Sequence, residues 1–126
     1  MDRGLAVGID LVEVERFAAA LRRTPRLAAR LFTEQERAVA GPSERRTAER
    51  LAARFAAKEA AFKALGDGWP RLHYHEVELL TSPNGAPQLR LSGRAADLAS
   101  EADAKVSLSH AGGLAAAFVA LVPRSP

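Results

Sequence analysis

RFAAKEAAFKALG, Arg54–Gly66, carries an aromatic stripe and a set of charges that do not keep clear of it. Leu51, Phe55 and Phe62 recur at helical spacing, and Arg54, Lys58, Glu59 and Lys63 lie on or beside the same face. Arg54 and Lys58 are four residues apart, a like-charge spacing that costs an isolated helix about 0.2–0.5 kcal/mol. An anion held between them would reverse that cost. Glu59 and Lys63 stand at the same spacing in the favourable acid-before-base order. An ordinary surface ion pair, with Lys58 snorkelling past the rings, therefore accounts for the pattern as well. Spacing alone leaves both readings open.

The helical signal runs from Thr47 to Leu65, with Gly66 as its C-cap. Upstream, LAVGIDLV is an apolar run suited to a buried strand, with Asp10 near its end. EVERFAAALRR puts Val14, Phe17 and Leu21 on one helical face, and Thr24-Pro25 breaks it. RLAARLF resumes as a shorter turn or helix, and TEQERAVA forms another, with Thr33 and Glu36 at capping-box spacing. GPSE is a loop. Downstream, GDGWPRLHYH is a turn-rich connection, and EVELLTS and PQLRLS are strands joined through Asn84-Gly85. Both of those turn residues tolerate positive φ, which makes the pair a hairpin signal. GRAADLASEAD is a short helix, and KVSLSHAGGLAAAFVALV supplies two closing strands around a turn at Ala111 to Gly113. The expected order is β-α-α-α-β-β-α-β-β, an α+β fold in which a mostly antiparallel sheet carries one long helix. Residues 1–126 read as a single domain ending in a frayed PRSP tail.

Apolar residues make up 48% of the chain and charged residues 26%, a balance typical of soluble globular proteins. The absence of cysteine excludes disulfides, thiolate zinc sites and a Cys nucleophile. The N-terminal residues lack the pattern of a secretory signal, and no apolar run reaches membrane-spanning length. A cytoplasmic protein with no membrane partner is expected. The net charge of +3 is concentrated in Arg22, Arg23, Arg26 and Arg30 and again in Arg45, Arg46, Arg50 and Arg54, which favours an anionic partner. No P-loop, dinucleotide fingerprint or nucleophile elbow is present. No aromatic-rich basic strand suggests nucleic acid, and Trp69 is isolated.

A carboxylate such as Asp10 at the end of an apolar strand is costly to bury unless it is paired or metal-bound. Capping or orienting the helix that follows would also explain it. With Glu59 it would make a sparse, oxygen-only pair suited to Mg²⁺, which keeps several waters and takes phosphate oxygens. In VSLSH, alternation sets Val106 and Leu108 against Lys105, Ser107 and Ser109. Those hydroxyls, with His110, suit phosphate or adenine edges, or simply face solvent. His73 and His75 have no partner at zinc-helix spacing and read as structural.

GID at Gly8 to Asp10, followed after about fifty residues by RFAAKEAAFKALG, closely resembles the two signature motifs of the 4′-phosphopantetheinyl transferases. More narrowly, it resembles their short bacterial type, the holo-[acyl-carrier-protein] synthases. FTEQE, the hairpin around Asn84 to Pro87 and the late VSLSH sit in the family's order, so the resemblance covers nearly the whole chain. It implies transfer of 4′-phosphopantetheine from coenzyme A to a serine of apo acyl carrier protein, releasing 3′,5′-ADP and supporting fatty acid biosynthesis. By motif position, Asp10 and Glu59 would hold Mg²⁺ and Lys63 would stabilise the departing phosphate. Arg54 and Lys58 would meet phosphate oxygens of the nucleotide end. The serine's base would be Glu59 through a water, or a water held by the metal.

Asn84, Gly85 and Pro87 of the hairpin are expected near the adenine, with Ser109 and His110 contributing to the nucleotide site. The larger relatives are pseudo-dimers, and this chain has the length of one half. A homotrimer with sites at subunit boundaries is therefore implied. Arg16, Arg23 and Arg26 match basic positions that dock the acidic carrier protein, with Leu27 as an apolar contact. Val12 stands where the larger relatives have a third acidic residue, as in the short type. Arg30 replaces an apolar docking residue of some relatives, and Ala20 offers less apolar contact than a larger side chain. Two alternatives stay open: the same chemistry on a polyketide or other specialised carrier, and a non-enzymatic basic module that binds nucleotide.

Overall fold

The computed structural model describes residues 4–39, 41–66 and 72–125. Trp69 and the centre of the expected turn-rich connection lie outside them. Strand β1 (Ala6–Glu13) leads into helices α1 (Val14–Arg23), α2 (Leu27–Leu31), α3 (Glu34–Arg37) and the long α4 (Glu44–Leu65). A 3₁₀ turn, Tyr74–Glu76, then precedes β2 (Val77–Thr81), β3 (Pro87–Leu91), α5 (Gly93–Ala99), β4 (Ala102–Ala111) and β5 (Leu114–Pro123).

The α+β class and the long helix are as expected. The order differs by one helix, because Leu27–Leu31 closes into a helix of its own after the Thr24-Pro25 break. The strands also divide. β1, β5 and β4 form a three-stranded antiparallel sheet with β5 in the centre, and β2 and β3 form a separate antiparallel hairpin.

Helix α4 begins three residues before the expected Thr47, since Ser43 is its N-cap and accepts from the Arg46 backbone N–H at 3.2 Å. Gly66 ends it at φ 72°, a left-handed conformation suited to glycine. Its Ala52, Ala56, Ala57, Ala60, Ala61 and Ala64 are buried against the sheet, where β5 presents Ala115, Ala117, Val119 and Leu121. Small side chains on both surfaces bring the helix very close. A Cβ placed on Gly8 would lie 1.9 Å from the Ala60 carbonyl oxygen, so the glycine of GID is the residue that lets β1 pass beneath α4.

In the β2–β3 turn the Gly85 N–H donates to the Ser82 carbonyl at 2.8 Å and Gly85 adopts φ 88°. Asn84 does not share that conformation. Its side-chain oxygen instead accepts from the Ala86 N–H at 3.0 Å, holding the loop from within. The hairpin is as expected, and of the two residues that tolerate positive φ only Gly85 adopts it. On the sheet face away from α4, Val7, Ile9, Leu11 and Phe118 remain 44–64% exposed.

Candidate active site

Alternation along β1 turns Gly8, Asp10 and Val12 toward α4 and leaves Val7, Ile9 and Leu11 on the outer face. Asp10 therefore arrives beneath the last turns of the long helix. There the Lys63 ammonium donates to the Ile9 carbonyl at 2.8 Å and reaches Asp10 Oδ1 at 3.4 Å. Glu59, one turn earlier, accepts a hydrogen bond at Oε1 from the Tyr74 hydroxyl at 2.7 Å. Burial pushes the Asp10 carboxyl above its ordinary range, the Lys63 hydrogen bond and charge pull it back, and the negative charge of Glu59 raises it again. Two carboxylates thus repel one another across a partly desolvated space.

That donor set fits a hard divalent cation. It is oxygen-only and anionic, and Mg²⁺ commonly takes one or two carboxylates and completes its shell with waters and substrate oxygens. Among the described residues no group of three or more His, Cys, Asp or Glu side chains gathers. A cation held by Asp10 and Glu59 would need those other oxygens.

Lys58 does something different from what its spacing suggests. It is fully buried, and its ammonium donates to Glu36 Oε1 at 2.8 Å, to the Tyr74 carbonyl at 2.9 Å and to the Val77 carbonyl. It also lies over the Phe32 ring at 5.8 Å. All three of its donors point inward, so the expectation that it meets phosphate oxygens, and the alternative that it snorkels to solvent, both fail. Burial lowers its pKa, opposed by the Glu36 charge and hydrogen bond. Glu36 is equally buried and also accepts from the Thr33 and Leu79 backbone N–H groups at 3.0 Å each. The sequence announces Glu36 only as a capping-box residue; nothing local marks it as the counter-ion of Lys58. Nor does any sequence pattern link the lone Tyr74 to Glu59.

Arg54 is 6% exposed, gives one N–H to the Arg50 carbonyl at 3.3 Å, and leaves its Nε without a partner. Burial lowers its pKa. Arg54 lines a cleft of about 470 Å³ with Arg45, Arg46, Glu49, Arg50, His110 and the Gly112-Gly113 turn. A buried cation with an unsatisfied Nε, in a cleft where four arginines outnumber one glutamate, is an arrangement that a polyanion would neutralise.

His110 shares the α4-facing side of β4 with Leu108 and so reaches this cleft, whereas Ser109 faces the opposite, exposed side. The two residues expected to act together are separated by the pleat. The Asn84 to Pro87 turn does not line the Arg54 cleft within one chain. Arg16, Arg23 and Arg26 are exposed along α1 and its exit, with Glu13 3.6 Å from Arg16. Leu27 is half-buried against the chain's own core and is only partly available as a contact. His75 Nε2 hydrogen-bonds the Ala29 carbonyl at 2.8 Å.

The family model described as the 4′-phosphopantetheinyl transferase superfamily matches residues 6–119. A holo-[acyl-carrier-protein] synthase of Salinispora arenicola is 52% identical over 118 residues, covering 91% of this chain and 95% of the relative. The protein of that name from Streptomyces coelicolor is 51% identical, covering 91% and 94%. Among solved structures, the Chronobacterium ammoniagenes ACPS–CoA complex superposes with a TM-score of 0.82 at 32% identity, covering 98% of this chain and 100% of that one. A Bacillus anthracis holo-(acyl-carrier-protein) synthase in complex with CoA (3′,5′-ADP) gives a TM-score of 0.78 at 34% identity, covering 94% and 96%.

Proposed function

The chain belongs to the 4′-phosphopantetheinyl transferase superfamily, and on that premise we propose that it is a holo-[acyl-carrier-protein] synthase. It transfers 4′-phosphopantetheine from coenzyme A to a serine of apo acyl carrier protein and releases 3′,5′-ADP, supplying fatty acid synthesis. The observation that carries this reading is the meeting of Asp10, Lys63 and Glu59 where β1 passes under α4. In the transfer, the serine oxygen forms a bond to the phosphorus bearing pantetheine, and the bond from that phosphorus to the oxygen of 3′,5′-ADP breaks.

Asp10 and Glu59 would hold Mg²⁺, which when bound supplies charge neutralisation to the pyrophosphate. The chain's own residues do the rest. Lys63, exposed and anchored on the Ile9 carbonyl, offers positive charge to the leaving phosphate. Arg54, with its free Nε, and His110 receive the nucleotide's phosphate end in the basic cleft. Lys58 has no part in this, because its donors are engaged inside.

The adenine is received by the Asn84 to Pro87 loop and Ser109 of a neighbouring subunit. In one chain these residues stand apart from the cleft, which supports a site completed at a subunit boundary. The exposed Val7, Ile9, Leu11 and Phe118 support a homotrimer joined through its outer sheet faces. In solution this gives the mass of three chains, reduced to one by Phe118→Arg. The acidic carrier docks on Arg16, Arg23 and Arg26, where charge complementarity raises the association rate. Among the described residues no helix is long and apolar enough to cross a membrane. We place the reaction in the cytoplasm, a compartment consistent with a chain without cysteine.

The test is intact-mass spectrometry of apo acyl carrier protein incubated with the chain, coenzyme A and Mg²⁺, beside a chelator control. A metal-dependent gain of one phosphopantetheine is expected. No gain with any of several carriers would contradict the assignment.

A further inference from the structure

Tyr74 connects the buried ion pair to the rim of the site. We infer that it is a positioning residue for the cation-binding carboxylate of Glu59, which its hydroxyl holds at Oε1. The inference rests on the reading of Asp10 and Glu59 as the metal pair.

Three contacts carry it. The hydroxyl donates to Glu59 Oε1 at 2.7 Å. The ring is gripped on two sides, by Phe55 with centroids 5.8 Å apart at 29° and by Phe62 at 5.2 Å and 50°. The backbone carbonyl of the same residue accepts from Lys58 at 2.9 Å, and Lys58 is locked to Glu36 at 2.8 Å with both side chains fully buried. Tyr74 is therefore fixed at its backbone, along its ring and at its tip. Each fixture stands on α4 or is tied to it, and α4 also carries Glu59.

A phenol suits this role. It donates to the carboxylate without adding a positive charge that would compete with the cation. Mg²⁺ demands near-octahedral geometry, and a long glutamate side chain meets that demand more readily when one oxygen is already held. Asp10 has its own partners in Lys63 and the Leu11 backbone N–H. Each carboxylate of the pair is thus oriented by a separate neighbour.

Tyr74→Phe keeps the ring in its stack and removes only the hydroxyl. Three quantities are compared with wild type: Mn²⁺ binding by EPR titration with coenzyme A present, the Mg²⁺ concentration for half-maximal transfer, and the thermal unfolding midpoint. Both metal constants should weaken about tenfold, the typical effect of losing a partner that orients a metal ligand. The rate at saturating metal should recover to within a few-fold, and the unfolding midpoint should stay near wild type. An unchanged Mn²⁺ constant overturns the inference, and a fallen unfolding midpoint beside it assigns Tyr74 to packing alone. If wild type itself binds no Mn²⁺ beside coenzyme A, the metal reading of Asp10 and Glu59 fails first, and this inference with it.

Discussion

Lys58 lies fully buried between Glu36 and two backbone carbonyls, while Glu59, its neighbour on α4, stands half-buried at the rim beside Asp10 and Lys63. The two regions use the same residue types at nearly the same place on one helix. In the interior around Lys58 the charges are matched: Glu36 by Lys58 and two backbone N–H groups, Glu78 by Arg90 and the Thr33 hydroxyl. At the rim the Asp10 and Glu59 carboxylates repel one another, with Lys63 3.4 Å from Asp10 and the Tyr74 hydroxyl on Glu59. A site that is complete within the chain ties α3, α4 and β2 together. The rim groups are half-buried or exposed and lie within reach of a ligand. Burial, and not residue type, separates the interior pair from the rim here.

The largest effect is expected inside. Lys58→Met leaves the Glu36 carboxylate buried without its cation and should cost about 3–5 kcal/mol, read from urea unfolding midpoints. Replacing Glu36 by Leu in the same chain should recover much of that loss. A single-variant cost under about 1 kcal/mol would break the comparison, since the interior pair would then behave like a surface one.

At the rim the order of effects reverses. Asp10→Asn should lower transfer about a thousandfold, the several kcal/mol that a bound cation contributes to charge stabilisation. The metal-free fold should hold or gain stability. Burial and Glu59 hold the folded Asp10 pKa above its ordinary 3.8, so the folded chain binds that proton more tightly than the unfolded one. Stability from this group is present below that window and is lost as pH rises through it, and Asp10→Asn removes that slope.

Gly8→Ala sharpens the comparison from the backbone side. A Cβ 1.9 Å from the Ala60 carbonyl oxygen must push β1 and α4 apart, at about 1–3 kcal/mol by chemical denaturation. Because Asp10 and Glu59 ride on those two elements, transfer should fall further than stability predicts.

The smallest effect is at Glu78. Burial pushes its carboxyl up, but hydrogen bonds from Thr33 and Arg90 and the nearby Arg90 and Lys58 charges hold it below the ordinary carboxylate value. Its contribution is present above the unfolded value and lost as pH falls through the folded one. Glu78→Gln should cost about 1 kcal/mol at neutral pH and flatten the acid limb of the unfolding profile.

The features legible in the sequence are those with local causes. The Thr33–Glu36 capping box, the Gly66 C-cap and the turn ending at Gly113 are set by residues within a few positions of one another. LAVGIDLV, by contrast, reads as a buried strand and in the structure leaves Val7, Ile9 and Leu11 exposed on one face. Asp10, Glu59 and Lys63 were readable because two short motifs fix their places on one strand and one helix. What escaped depends on distant parts of the chain. Helical spacing sets the direction of Lys58 but not whether Glu36 and two carbonyls wait there. The Tyr74 bond to Glu59 needs the 3₁₀ turn to fold back onto α4, and no periodicity encodes that. The division into a sheet and a separate hairpin likewise reflects tertiary pairing and not strand propensity.

The most direct test of the account is the Glu59→Gln variant, measured for carrier-protein mass gain with coenzyme A and Mg²⁺ and for its unfolding midpoint. The expected result is a chain as stable as wild type to within about 0.5 kcal/mol that fails to add phosphopantetheine. Transfer at near wild-type rate would contradict it, because the rim carboxylates would then have no part in the chemistry.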